Sequence, residues 1–142
     1  MKLIDANLLI YAHNVNAPEH EQARTWTEAT MSHAEPVGLA WLAILAFLRI
    51  LTDPRLFAQP RSMADATAIM TSWLARPNVY ILSPTTRHWA ILRDLLDRGQ
   101  VRGPLVSDAH LAALAIEHGA TLCTTDRDFA RFPGLKWMNP LE

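Results

Sequence analysis

A chain of 142 residues, half of them apolar and carrying a net charge of −1, is long enough for one domain with its own core. That charge excludes a passive nucleic-acid coat, which needs a broad positive surface, but leaves room for a local groove. No apolar run reaches the roughly 20 residues of a membrane span, an acid at position 5 breaks any leader pattern, and a lone Cys123 forms no internal disulfide, so a reducing cytoplasm and a buried core thiol are expected.

Lys2 to Asp5 reads as a short buried strand, and Asn7 to His13 as a helical turn carrying Leu8, Leu9 and Tyr11. Pro18 opens a helix with an acidic first turn, Glu19 and Glu21, and an apolar face of Ala23, Trp26 and Ala29. Val37 to Leu39 predicts a strand, and Trp41 to Leu51 a buried helix stopped by Thr52-Asp53-Pro54. Ser62 with Asp65 three residues on is an N-cap signal for a helix reaching Ala75. Val79 to Leu82 is β-branched and aromatic, hence a strand. Thr85 or Thr86 is the expected cap of a helix whose core face is Trp89, Leu92 and Leu96, ending near Gly99. Ser107 is the expected cap of the next helix, with Leu111, Leu114 and Ala115 inward and Gly119 as the stop. Thr121 to Thr124 is a strand, Asp126 to Phe129 a tight turn, and Lys136 to Met138 an edge strand. The alternation predicts right-handed βαβ units: an α/β fold with helices on both faces of a small, mostly parallel sheet of four or five strands.

The acids fall at telling places on that plan. Asp5 closes the first strand, Asp108 opens a late helix, and Asp126 and Asp128 follow the last long strand. In an open parallel sheet such positions share one edge, where these folds place their sites. Gathered carboxylates repel one another, and a hard cation with a preference for oxygen ligands relieves that repulsion. Such an ion polarises a phosphoryl oxygen and helps ionise water, so no Ser, Cys or His nucleophile is required. Each acid also has a plainer role: Asp108 stabilises a helix start, Asp5 forms a turn, and Asp126 and Asp128 shape a loop. Asn7 and Thr125 stand beside the acids as accessory polar groups, or as turn and cap hydrogen-bonders. The six histidines show no ligand spacing, so zinc is not expected, and His88 and His118 read as structural. No glycine-rich phosphate loop or GxSxG is present.

Leu3-Ile4-Asp5-Ala6-Asn7-Leu8-Leu9, Ser107-Asp108-Ala109-His110-Leu111 and Thr124-Thr125-Asp126-Arg127-Asp128-Phe129, in this order and spacing, resemble the PIN-domain ribonucleases, and among them the VapC toxins of bacterial toxin–antitoxin pairs. Trp41 to Arg55, His88-Trp89 and Phe132-Pro133-Gly134-Leu135 resemble one subgroup. The resemblance implies a single PIN domain over residues 1–142 with a three-layer α/β/α fold, and RNA cleavage dependent on Mg²⁺ or Mn²⁺. It further implies a homodimer and a VapB-type antitoxin forming a hetero-oligomer with the toxin. By position, Asp5, Asp108 and Asp126 are the catalytic, metal-binding acids, with Asp128 a further ligand. The family usually has a Glu just ahead of an apolar-apolar-Arg sequence, and here that place reads Ala46-Phe47-Leu48-Arg49. Looser metal binding is therefore expected, and a PIN-fold module that grips RNA or antitoxin with little cleavage is the competing expectation. Arg49 is a candidate contact to RNA phosphate or an antitoxin carboxylate, or the partner of a nearby acid.

Overall fold

The computed structural model describes residues 1–142. Five strands, β1 (Lys2–Ile4), β2 (Val37–Ala40), β3 (Val79–Leu82), β4 (Thr121–Cys123) and β5 (Trp137–Met138), form one sheet in the order β3-β2-β1-β4-β5. Every pairing is parallel. The helices are α1 (Ala6–Tyr11), α2 (His20–Ser32), α3 (Trp41–Leu51), α4 (Met63–Leu74), α5 (His88–Arg98) and α6 (Leu105–Glu117), with a 3₁₀ turn at Arg127–Arg131.

Because side chains alternate across a strand, neighbouring residues feed two separate cores. Leu3, Ala40 and Leu122 point into one, built with Leu95, Leu111, Leu114, Phe129 and Phe132 from the α5, α6 and 3₁₀ side. Ile4, Leu39 and Cys123 point into the other, built with Leu8, Leu9, Ile44, Phe47, Met70 and Trp73 from α1, α3 and α4. This is the expected three-layer α/β/α arrangement. Burial pushes the Cys123 thiol up to about 12, so it packs as an apolar group.

The strand order carries the functional consequence. The chain winds outward from β1 through β2 to β3, then returns to lay β4 against the other side of β1. The reversal leaves a crevice beyond the carboxyl ends of β1 and β4, where ligands of open parallel sheets bind.

Several local expectations hold. Ser62 accepts from the Asp65 amide at 3.0 Å and caps α4, α3 and β3 have the expected bounds, and Gly119 takes a positive φ of 64° after α6. Others do not. Helix α6 begins at Leu105 behind Pro104, so Ser107 lies inside its first turn and caps nothing; proline's fixed φ starts the helix earlier than a hydroxyl signal suggests. Helix α5 begins behind Arg87, and neither Thr85 nor Thr86 is its cap; Thr85 instead accepts from the Arg87 amide at 3.2 Å in a local turn. Trp89 is 66% exposed and Leu95 is the buried residue of α5. Helix α2 starts at His20, two residues past Pro18, and buries Ala23, Thr27 and Met31 while Ala29 faces solvent. Helix α3 buries one face only, leaving Trp41, Leu42 and Leu45 outside.

The histidines expected to be structural prove so. Glu117, whose side chain is fully buried, accepts from His88 Nδ1 at 2.6 Å, and His88 Nε2 meets His110 Nδ1 at 2.9 Å. This chain ties α5 to α6 and so fixes the helix that carries Asp108. Phe47, fully buried against Trp73 at 5.2 Å between ring centroids, anchors the opposite layer. Phe47→Ala is expected to cost about 3–5 kcal/mol in chemical denaturation; a loss below about 1 kcal/mol would show that the α1–α4 layer does not depend on this packing.

Candidate active site

Asp5 is the N-cap of α1, in an extended conformation that turns its carboxylate back over the strand end. One carboxylate oxygen accepts from the Ala6 amide at 2.7 Å. The other accepts from the Thr124 hydroxyl at 2.7 Å and from Asn7 Nδ2 at 3.4 Å. Asn7 Nδ2 also reaches Thr124 Oγ1 at 3.1 Å, and that hydroxyl accepts from the Asp126 amide at 3.0 Å. Thr124, the first residue past β4, thus stitches the ends of β1 and β4 together. Asp126 caps the 3₁₀ turn by accepting from the Asp128 amide at 2.9 Å.

Asp108 comes in from α6. Its carboxyl is pushed up to about 6, by burial first, then by Asp126, Asp5 and Asp128, and Arg131 offsets part of this. Burial raises Asp5 too, with Asp126 adding to the shift, although Thr124 and the Ala6 amide favour its charged form. The four acids chosen from sequence therefore share one field across three separate elements.

The structure sharpens the rest of the predicted set. Asn7 is in place. Thr124, not Thr125, bonds Asp5; Thr125 makes no side-chain hydrogen bond to the other site residues. The strand ends one residue earlier than expected, which puts the preceding threonine at the edge. Arg49 is exposed in the last turn of α3; it acts on Asp53, whose carboxyl Arg55 holds low first and Arg49 only weakly. The cation beside the acids is Arg131, anchored to the Gly99 carbonyl at 3.2 Å. A basic residue ending a 3₁₀ turn that starts with two acids was its only sequence signal. Ala46 is half-buried on α3 and brings no ligand.

The donor set suits a hard divalent cation: carboxylates from three elements, of which Asp5 and Asp108 are raised by burial first and by neighbouring acids after it, and the Asn7 carbonyl oxygen, which is buried without a hydrogen-bond partner. As the side chains stand, no three acidic, imidazole or thiol groups converge tightly enough to grip an ion. The chemistry fits, and the grip requires side-chain movement.

A parallel sheet with carboxylates just beyond β1 and β4 and on the helix before β4 defines a three-layer α/β/α domain with an acidic switch-point edge. The PIN domain family matches residues 2–135. The chain is 41% identical to Ribonuclease VapC37 of Mycobacterium tuberculosis over 140 residues, covering 99% of this chain and 97% of that one. It is 39% identical to Ribonuclease VapC43 of the same species over 142 residues, covering 100% and 97%. It superimposes on M. tuberculosis VapC20, described as a Sarcin-Ricin loop cleaving toxin, with a TM-score of 0.66 at 20% identity, covering 96% and 99%. VapBC2 from Rickettsia felis, solved on a promoter DNA fragment, gives 0.68 at 17% identity, covering 97% of each. The chain belongs to the PIN domain family and, within it, to the VapC ribonucleases.

A raised carboxyl pKa sets the sign of a pH effect. Asp108 holds its proton more tightly folded than unfolded, so the metal-free protein should lose stability as pH rises from about 4 through about 6. Asp108→Asn should therefore melt higher than the parent at pH 7.5 in chelator, by about 2–4 °C, with the difference shrinking towards pH 4. Equal or lower melting at pH 7.5 would show that the acids do not repel.

Proposed function

We propose that this protein is the toxin of a type II toxin–antitoxin pair, an endoribonuclease that hydrolyses RNA phosphodiester bonds at the Asp5–Asp108–Asp126 edge with Mg²⁺, for which Mn²⁺ can substitute. The observation that carries the reading is the gathering of Asp5, Asp108 and Asp126 at the β1/β4 switch point, with Thr124 bonding Asp5 and the Asp126 amide, in a chain of VapC ribonuclease ancestry.

When bound, a divalent ion supplies Lewis-acid polarisation of the phosphoryl oxygen and lowers the pKa of water. Asp5, Asp108 and Asp126 are the groups to hold it, with Asp128 at the rim. Thr124 fixes Asp5 by donating to one carboxylate oxygen, and Asn7 steadies the same oxygen while its own carbonyl oxygen stays buried without a partner. Because the folded chain favours protonated Asp108 below about pH 6, holding a cation there would be coupled to proton release in that acidic range. Arg131, at the end of the 3₁₀ turn, offsets part of the charge felt by Asp108 and is the cation proposed to meet a phosphate oxygen. Thr124 and Asn7 thus orient Asp5 before substrate comes.

A VapB-type antitoxin is the proposed protein partner, within a toxin–antitoxin hetero-oligomer built on a toxin homodimer. The exposed row Trp41, Leu42 and Leu45 on α3, with Trp41 54% exposed, supports a partner-covered surface. No helix is long and apolar enough to cross a membrane, which is compatible with the proposed cytoplasmic setting. The second reading, a module that binds RNA or antitoxin without efficient cleavage, draws on Ala46 and on the absence of a tight three-ligand cluster.

Purified protein with Mn²⁺ in excess and structured RNA separates the two. The nuclease reading expects defined cleavage products, their loss in Asp5→Asn and Asp108→Asn, and about a 10–100-fold slower rate in Thr124→Val, the cost typical of freeing a ligand from its supporting bond. Binding without cleavage at every metal concentration would establish the second reading.

A further inference from the structure

Helix α6, which carries Asp108, meets the core through a smooth face. Of its six buried apolar residues, Ala109, Leu111, Ala112, Ala113, Leu114 and Ala115, four are alanine. A methyl group fills space but interlocks little, so such a face packs well over a range of rotations. Asp108 itself has no tether. Asp5 and Asp126 are held by hydrogen bonds at their own strand end and turn, whereas burial and neighbouring charges are what act on the Asp108 carboxyl. Its place opposite them is therefore set by how α6 is turned and seated.

The fully buried Glu117 side chain supplies the direction that alanines lack. One of its oxygens accepts from the Thr85 amide at 2.7 Å and the other from His88 Nδ1 at 2.6 Å. A carboxylate only accepts, so the His88 proton sits on Nδ1, and the neutral ring then takes the His110 Nδ1 proton at Nε2, 2.9 Å away. The chain thus grips α6 at its last residue and again at His110, two residues past Asp108. Arg87 also donates to the Glu117 carbonyl at 2.7 Å, and His118 Nε2 to the Ser83 carbonyl at 2.8 Å. Each of these bonds runs from α6 or its C-cap to α5 or to the connection in front of it. A buried ion pair adds little stability over an apolar pair of the same volume. Its distinct contribution is directional, because hydrogen bonds discriminate between rotations that apolar contacts treat alike.

We infer that His88 and Glu117 are positioning residues for the proposed reaction: through their bonds to His110 and Thr85 they fix the rotation of α6, and with it the place of the Asp108 carboxylate against Asp5 and Asp126. The inference rests on Asp108 serving in that reaction, and adds what keeps it in register. Neither residue bonds the acids, so both act through the helix.

The double variant His88→Leu/Glu117→Leu removes ring and charge together, so no buried carboxylate is left unpaired, and it is expected to melt close to the parent. In crystals grown in chelator its Asp108 should stand displaced by about 1 Å or more relative to Asp5 and Asp126, a shift that costs about 100-fold in a chemical step. Its kcat on RNA should fall by that order, with KM held within about two-fold. Mn²⁺ affinity by calorimetry should fall about 10-fold or more. Glu117→Gln is the rescue. Its amide oxygen keeps the Thr85 bond, its nitrogen donates to His88 Nδ1, and both rings reverse their tautomers, so Asp108 and Mn²⁺ affinity should stay as in the parent. Should the double variant not fold, His88→Asn takes its place: its Nδ2 keeps the Glu117 bond and loses only the reach to His110, and the same displacement and loss of Mn²⁺ affinity are expected. A folded variant with Asp108 in place and Mn²⁺ affinity unchanged would overturn the inference, as would Glu117→Gln losing as much as the double variant. A parent that binds no Mn²⁺ would count against the proposed reaction instead, and the position of Asp108 in chelator would still decide the placement.

Discussion

Four carboxylates held at one sheet edge repel one another, and the rest of this structure is arranged to keep them there. Asp108 bears that repulsion most plainly, its carboxyl raised by burial and by three other acids. Three of the four are fixed by local structure. Asp5 caps α1 and accepts from Thr124, Asp126 caps the 3₁₀ turn, and Asp108 rides on a helix whose inner face is buried almost throughout. The Glu117–His88–His110 chain then locks that helix to α5.

Much of this was legible in the sequence. Helix α3, strand β3 and the Ser62 cap follow from periodicity and capping chemistry with the bounds the structure shows. The acids were legible because they sit where strands end and helices begin, and parallel alternation brings those places to one edge. What sequence left open was which of two adjacent hydroxyls faces the site. Thr124 and Thr125 differ by one position, and a strand ending one residue sooner reverses their directions. Trp89 was misplaced because it lies in the first turn of α5, at the edge of the face on which Ile91, Leu92, Leu95 and Leu96 meet the core.

Arg131 was beyond sequence reading because its place depends on a contact between distant segments. Arg131 is a site residue only because the 3₁₀ turn folds back against Gly99. Ala46 is the reverse case: sequence marked the departure, and the structure shows no other acid at that place on α3. The proposed cation site is left with aspartates alone.

The central claim is that these acids share one divalent ion. Crystals grown in Mn²⁺ and measured at an anomalous wavelength test it most directly. The account predicts a peak bounded by Asp5, Asp108 and Asp126. A map without that peak at saturating Mn²⁺, or with manganese bound only elsewhere, would contradict it.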